Sequence, residues 1–219
     1  MSSYTRDVEV GGAPAVRELP GLTLSKLAVS EMANNAYLLR CTATGEALLV
    51  DAAAEPEALR ALIGDADVRA VVTTHGHWDH HRALPEGVES TGAVTVAHPA
   101  DAADLPVPVQ RPVEHGDTVR VGGQTLEVVH LRGHTPGSIA LVWRGPEGAG
   151  THVFTGDSLF PGGVGKTWSA EDFTSLVDDV EERLFGALPD DTWVYPGHGR
   201  DTTLGAERPH LAEWRERGW

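Results

Sequence analysis

Apolar and polar positions fall in short blocks along this chain, and most of the blocks read as strands. Leu22 to Val29, Ala36 to Arg40 and Ala47 to Asp51 are three successive strand patterns, with Thr44-Gly45 as the turn between the last two. Glu55 to Ile63 has helical composition and spacing, with Pro56 in the first turn and Gly64 at the close. The run from Val68 to Thr74 is apolar and β-branched, as a buried strand requires. Val94 to Ala97 is a short strand, His98-Pro99-Ala100-Asp101 a helix start, and Leu105 to Val109 is extended because its prolines block a helix. Thr118 to Val121 and Thr125 to His130 flank Gly122-Gly123, a hairpin signal. Ser138 to Trp143, His152 to Thr155 and Trp193 to Tyr195 are further strands. Ala170 to Phe185 spaces Phe173, Leu176, Val177, Val180 and Leu184 as an amphipathic helix does, and Glu207 to Arg217 forms a terminal helix. Residues 1–20 are polar and form a loosely held arm. With no internal linker or repeat, residues 1–219 are read as one domain. Two packed sheets with outer helices fit this order, although the pattern alone does not single them out.

Composition narrows the function classes. At 219 residues, 41% hydrophobic and 22% charged, the chain can bury a full core. A net charge of -15 argues against nucleic acid and anionic membranes as partners. An anionic small substrate is still compatible, because a bound metal pair would reverse the local field. Cys41 is the only cysteine, which excludes an internal disulfide and a thiolate metal cluster; it is expected buried and inert. Residues 1–7 lack signal-peptide character and no apolar run approaches the ~20 residues of a membrane span, so the expectation is a soluble cytoplasmic protein. Oligomeric state is not legible.

The chemistry concentrates after the strand ending at Thr74. His75-Gly76-His77-Trp78-Asp79-His80 offers four potential metal ligands within six residues. A helix would fan these side chains around a full turn, whereas a loop leaving a strand end can aim them together, with Gly76 supplying the backbone freedom. Imidazole with carboxylate suits zinc, iron or manganese better than calcium or magnesium. One loop cannot close a site, and three later stretches offer more ligands: Gly133-His134-Thr135-Pro136-Gly137, Thr155-Gly156-Asp157 and Pro196-Gly197-His198-Gly199. Each places a polar residue beside glycine or proline just past an apolar strand, where a rigid sheet can aim it.

The set THGHWDH, GHTPG, TGDSLF and PGHG, in this order, resembles the metallo-β-lactamase superfamily over nearly all of the chain from Leu22 onward. The resemblance implies an α/β fold, an αββα sandwich of two mixed sheets with outer helices and the metal site at one end. It also implies that His75, His77 and His134 hold one metal and that Asp79, His80 and His198 hold a second. Asp157 would bridge the two beside a shared water or hydroxide. The implied cofactors are two divalent ions, zinc first, with iron or manganese as alternatives. Asp79 would also orient the nucleophile. Asp51, ending a strand beside the metal strand, is a candidate to steady an imidazole, and a turn-capping role is the competing reading. Trp78 and Trp168 are candidate pocket walls.

The Asp79-His80 pair and the tail PGHGRDTTLGAERPHL look like glyoxalase II and its small relatives, which cleave a thioester such as S-lactoylglutathione. The implied activity is therefore a metal-dependent hydrolase acting on a small-molecule thioester or ester-like carbonyl. The loop from Leu159 to Thr167 is similar to the Gly-Arg loop of that family with Lys166 in place of arginine, so Lys166 could grip a substrate carboxylate as a point charge. The helical C-terminal domain that holds glutathione in full-length glyoxalase II is not part of this sequence. Two alternatives share the fold: persulfide dioxygenases, with one iron and a closing motif that usually reads Pro-Ala-His, and lactonases. The segments expected to set the substrate are loops at Leu159 to Trp168 and Leu84 to Val88. Ser158, His81, His98, His115, His130, His152 and His210 are read as structural or surface residues, and Asp178-Asp179 and Glu181-Glu182 as a solvated helix face.

Overall fold

The structure, a computed structural model, describes residues 4–218. The first half of the chain builds a seven-stranded sheet in sequence order: β1 (Ala15–Leu19), β2 (Leu22–Val29), β3 (Asn34–Cys41), β4 (Glu46–Val50), β5 (Asp67–Val72), β6 (Val94–Ala97) and β7 (Arg111–Pro112). Strands β1 to β4 pair antiparallel, and β4 to β7 pair parallel. The parallel part needs crossovers, which α1 (Pro56–Ile63) and α2 (Leu84–Thr91) supply. The second half continues with β8 (Thr118–Val121), β9 (Gln124–His130), β10 (Ile139–Arg144) and β11 (Thr151–Gly156), then a small ribbon of β12 (Leu159–Phe160) and β13 (Gly163–Val164). After α3 (Ala170–Val180), β14 (Trp193–Pro196) and β15 (Thr202–Thr203) complete a six-stranded sheet in the order β15-β14-β11-β10-β9-β8. The short α4 (Leu204–Glu207) and α5 (Leu211–Arg217) follow.

Strand alternation assigns each residue its layer. On β3, Tyr37, Leu39 and Cys41 face the space between the sheets, while Ala36 and Leu38 face α1 and α2. On β10, Ile139, Leu141 and Trp143 face inward, while Ala140 and Val142 meet α3 and α5 through Leu176, Val180 and Trp214. Because both faces are covered, the strands read as near-continuous apolar runs rather than clean alternation. The result is four layers, helix-sheet-sheet-helix, as the resemblance implies. No helix among the described residues is long and apolar enough to cross a membrane.

Several expectations need correction. Residues 15–19, placed in a loose arm, form edge strand β1, because Ala15 to Leu19 find a full antiparallel register on Lys26 to Leu22. Residues 84–88 are not a substrate loop but the first turns of α2, with Leu84 and Gly87 buried; packing against Ala52 and its neighbours overrides a poor helical composition. The helix at Ala170 is regular only to Val180 and widens into a π turn over Glu181–Phe185, and the terminal helix is interrupted by a 3-10 turn at Arg208–His210, around Pro209.

The acidic face of α3 is also not simply solvated. Asp179 is 1% exposed and takes bonds from the Arg132 backbone amide (2.9 Å), Nε (2.8 Å) and Nη2 (2.7 Å), while Arg183 lies 3.1 Å away. Burial pushes this carboxyl up, but the Arg132 bonds outweigh it and hold its pKa below the ordinary value. A depressed folded-state pKa contributes stability that is complete above the unfolded value of about 4 and is lost as pH falls through the folded value. Asp179→Asn should therefore cost about 1.5–3 kcal/mol in urea unfolding at pH 7. The gap to wild type should narrow below pH ~4; a gap independent of pH would contradict this assignment.

Candidate metal centre

Five strands end at the same edge of the sandwich, and each hands its next residues to one point. β4 and β5 run parallel, so Asp51 and the loop from Thr73 leave the first sheet together. In the second sheet β11 is parallel to β14, and β9 is antiparallel to β10 as β10 is to β11. The loops carrying His134, Asp157 and His198 therefore leave on one side as well. Hydrogen bonds across the gap join the two edges: Ile139 N to Thr74 O at 2.8 Å and Asn35 N to Gly197 O at 2.7 Å.

All seven residues expected to hold metal converge. His75, His77 and His134 form one cluster, Asp79, His80 and His198 another, and Asp157 joins His75 and His80 in a third; in each, one ligand atom per residue lies within 4.8 Å of the others. Asp157 Oδ1 is 3.3 Å from His80 Nε2, and its Oδ2 is 3.6 Å from His134 Nε2 and 3.4 Å from His198 Nε2. Asp79 Oδ2 is 3.4 Å from His198 Nε2 and 3.6 Å from His80 Nε2. Asp157 thus lies between the two triads.

The rings are aimed by their other nitrogens. Nδ1 of His80 meets Asp51 Oδ2 at 2.9 Å, Nδ1 of His134 meets the Lys166 carbonyl at 2.7 Å, and Nδ1 of His198 meets the Met32 carbonyl at 2.9 Å. Nδ1 of His75 lies 3.1 Å from the Thr74 hydroxyl. These contacts set the tautomer and leave each Nε2 facing the centre. There, Nε2 of His75 and of His134 is buried with no hydrogen-bond partner, and Nε2 of His80 lies 3.1 Å from Nε2 of His198. Buried orphan nitrogens are costly, and a borderline cation with a preference for nitrogen and carboxylate is what this donor set fits.

Electrostatics within the cluster follow from the same geometry. Burial pushes His75 and His134 down from the ordinary imidazole value. For His80 burial acts the same way but Asp157 and Asp51 outweigh it and hold the ring well up; for His198, Asp157 and Asp79 raise the pKa to about 9. Burial would raise Asp79 and Asp157, yet His198 and His80 hold both far below the carboxylate range, so both offer anionic oxygens.

Asp51 has the position the sequence suggests. Its Oδ1 accepts from Thr74 N at 2.8 Å and its Oδ2 from the Thr74 hydroxyl at 2.8 Å, besides the His80 contact. Its φ of 57° lies in the left-handed region, a strain of about 1–3 kcal/mol that aims the carboxylate. Lys166 contributes its carbonyl to His134, and its Nζ lies 4.5 Å from the Trp168 ring centroid. Trp78 and Trp168 are 57% and 67% exposed and line one groove with His77 and His134. His81 is buried with Nε2 3.2 Å from the Gly76 carbonyl, and His152, buried against Tyr195, is pushed down by burial to about 4.

Sequence reasoning misses three groups. Asn34 donates to Asp79 Oδ2 at 2.9 Å, and Asn34-Asn35 opening an apolar strand is the signal that could have found it. Lys26 is fully buried between the sheets, its Nζ bonding Asp201 Oδ1 (2.6 Å) and the Gly199 carbonyl (2.7 Å) just past His198. Its even position on β2, in phase with inward-facing Leu22 and Leu24, marks it as buried. Asp101 is the third.

A family model for the metallo-β-lactamase superfamily matches residues 29–198. The chain belongs to the metallo-β-lactamase superfamily. It is 35% identical over 164 residues to a hydroxyacylglutathione hydrolase from Polaromonas sp., covering 74% of this chain and 60% of that protein. The chain thus spans about three-fifths of that relative's length. Among solved structures, ETHE1 from Myxococcus xanthus superposes with a TM-score of 0.75 at 31% identity, covering 88% of this chain and 84% of the other. TTHA1623 in a di-iron-bound form gives a TM-score of 0.68 at 34% identity, covering 84% and 96%. Members of this superfamily bind divalent metals, and this chain has the clustered His and Asp donors for them.

Adding zinc to chelator-treated protein should raise its melting temperature. At about 100 times the dissociation constant the gain is about 2.7 kcal/mol of stability. Scanning calorimetry with and without zinc checks this, and an unchanged transition would count against the centre.

Proposed function

We propose that this protein is a metal-dependent hydrolase that cleaves a small-molecule thioester or ester-like carbonyl, in the manner of the hydroxyacylglutathione hydrolases it is similar to. The observation that carries the reading is the pair of triads sharing Asp157, with His75, His77 and His134 on one side and Asp79, His80 and His198 on the other. Two divalent ions, zinc first and iron or manganese as alternatives, would lower the pKa of a shared water and polarise the attacked carbonyl when bound there. Asp79, fixed by Asn34 and anionic at neutral pH, is the candidate to orient that water as well as to ligate. Asp51 keeps His80 in the required tautomer. Lys166, beside Trp168 at the groove, is the candidate to hold a carboxylate on the thiol carrier.

Gly197 supports this reading over the mononuclear iron dioxygenase. A Cβ at this position would lie 2.1 Å from Asp157 Oδ1 and 2.6 Å from His80 Cε1. An alanine here, as in the Pro-Ala-His motif, would displace both residues from the position they share. Glycine leaves room for Asp157 and His80 to serve two ions.

Purified protein should contain about two metals per chain and hydrolyse S-lactoylglutathione. A single iron, no hydrolysis, and oxygen uptake with glutathione persulfide would overturn the proposal. Gly197→Ala should lower metal content to about one per chain and the hydrolysis rate by about 10–100-fold.

A further inference from the structure

The histidines of the first triad stand on loops from different sheets, His75 and His77 after β5 and His134 after β9. We propose that a residue on neither loop, Asp101, is the positioning residue for this triad and acts on it selectively. The inference rests on the metal-centre reading and is independent of which bond the enzyme cleaves.

Asp101 stands on the 3-10 turn Pro99–Asp104 that follows β6, and its side chain is 1% exposed. Its Oδ2 accepts from Gly76 N at 2.8 Å and from the Thr135 hydroxyl at 2.5 Å, and its Oδ1 accepts from Gly137 N at 2.7 Å. Gly76 is the residue between His75 and His77, and Thr135 directly follows His134. One carboxylate therefore fixes the backbone inside the His-Gly-His step and the turn that carries the third ligand. The other end of Gly76 is held too, by His81 Nε2 on its carbonyl at 3.2 Å. The fit is close on both loops: a Cβ on Gly137 would lie 2.7 Å from the Asp101 carboxylate, and one on Gly76 would lie 3.2 Å from Asp101 Cβ.

A buried carboxylate without donors is strongly unfavourable, so its need for hydrogen bonds is a force on whatever supplies them. All three donors here come from the two ligand loops. Moving either loop away would strand the charge, which makes the spacing of His75 and His77 against His134 stiff. In the second triad, Asp51 bonds His80 and Asn34 bonds Asp79. Asp51 also bonds Thr74 beside His75, but of these anchors only Asp101 reaches the loop of His134.

The test measures zinc affinity by competition with a chromogenic chelator in two backgrounds. His198→Ala keeps the first triad intact, and His134→Ala keeps the second. Adding Asp101→Asn should weaken zinc binding by about 10–100-fold in the His198→Ala background and leave it unchanged in the His134→Ala background. Thr135→Val, which removes one bond and keeps the charge, should show a smaller loss with the same selectivity and serves if Asp101→Asn does not fold. A residue that only stabilises the fold would lower the metal-free melting temperature in both backgrounds without this split. Equal weakening in both backgrounds, or none in either, overturns the inference. A wild-type chain that takes up no zinc is a distinct result that overturns the metal-centre reading and this inference together.

Discussion

Five imidazoles and two carboxylates turned toward one buried point are a poor arrangement for a protein on its own. Nitrogen lone pairs face each other, as at His80 and His198, or face nothing, as at His75 and His134. Only a proton or a metal cation between them relieves this, and protons can do so only where a carboxylate raises the imidazole pKa. That division is visible in the site: His80 and His198 are held up by Asp157 and its neighbours, while burial pushes His75 and His134 down. The fold exists, at this edge, to keep these groups from moving apart.

It does so at a cost in stability. Asp51 is held in a left-handed conformation, Lys26 is buried fully and paired with Asp201, and Asp101 is sealed among loop amides. Each would be simpler as an apolar residue if packing were the only requirement, since a buried ion pair is rarely better than a well-packed hydrophobic replacement. Each instead holds the loops that carry the candidate ligands: Asp51 at Thr74 and His80, Lys26 just past His198, and Asp101 at Gly76 and at the turn after His134. Stability is given up locally in exchange for a site that needs little rearrangement on taking up metal.

The candidate ligands are legible because each is a polar residue in a short motif just past an apolar run. Asp157 after His152-Val153-Phe154 and His198 after Trp193-Val194-Tyr195 are of this kind. The strands were legible for the same reason, although the two-sided burial of β3 and β10 hides which face meets which layer. Anchors such as Asp101 and Lys26 are not, because the partners named above are 25 to 175 residues away and no local pattern encodes that distance. Asp179 was misread for a related reason: α3 shows an acidic stripe, but Arg132 from another element turns one member inward. Leu84 to Val88 reads as a loop because its composition is poor for a helix, whereas the burial of Leu84 and Gly87 holds it in α2.

The central proposal is that the two triads assembled around Asp157 hold one ion each. Anomalous diffraction from zinc-loaded crystals, recorded at the zinc absorption edge, tests it most directly. The account predicts two peaks, one among His75, His77 and His134 and one among Asp79, His80 and His198, with Asp157 between them. A single peak, or two peaks with Asp157 turned away, would contradict it.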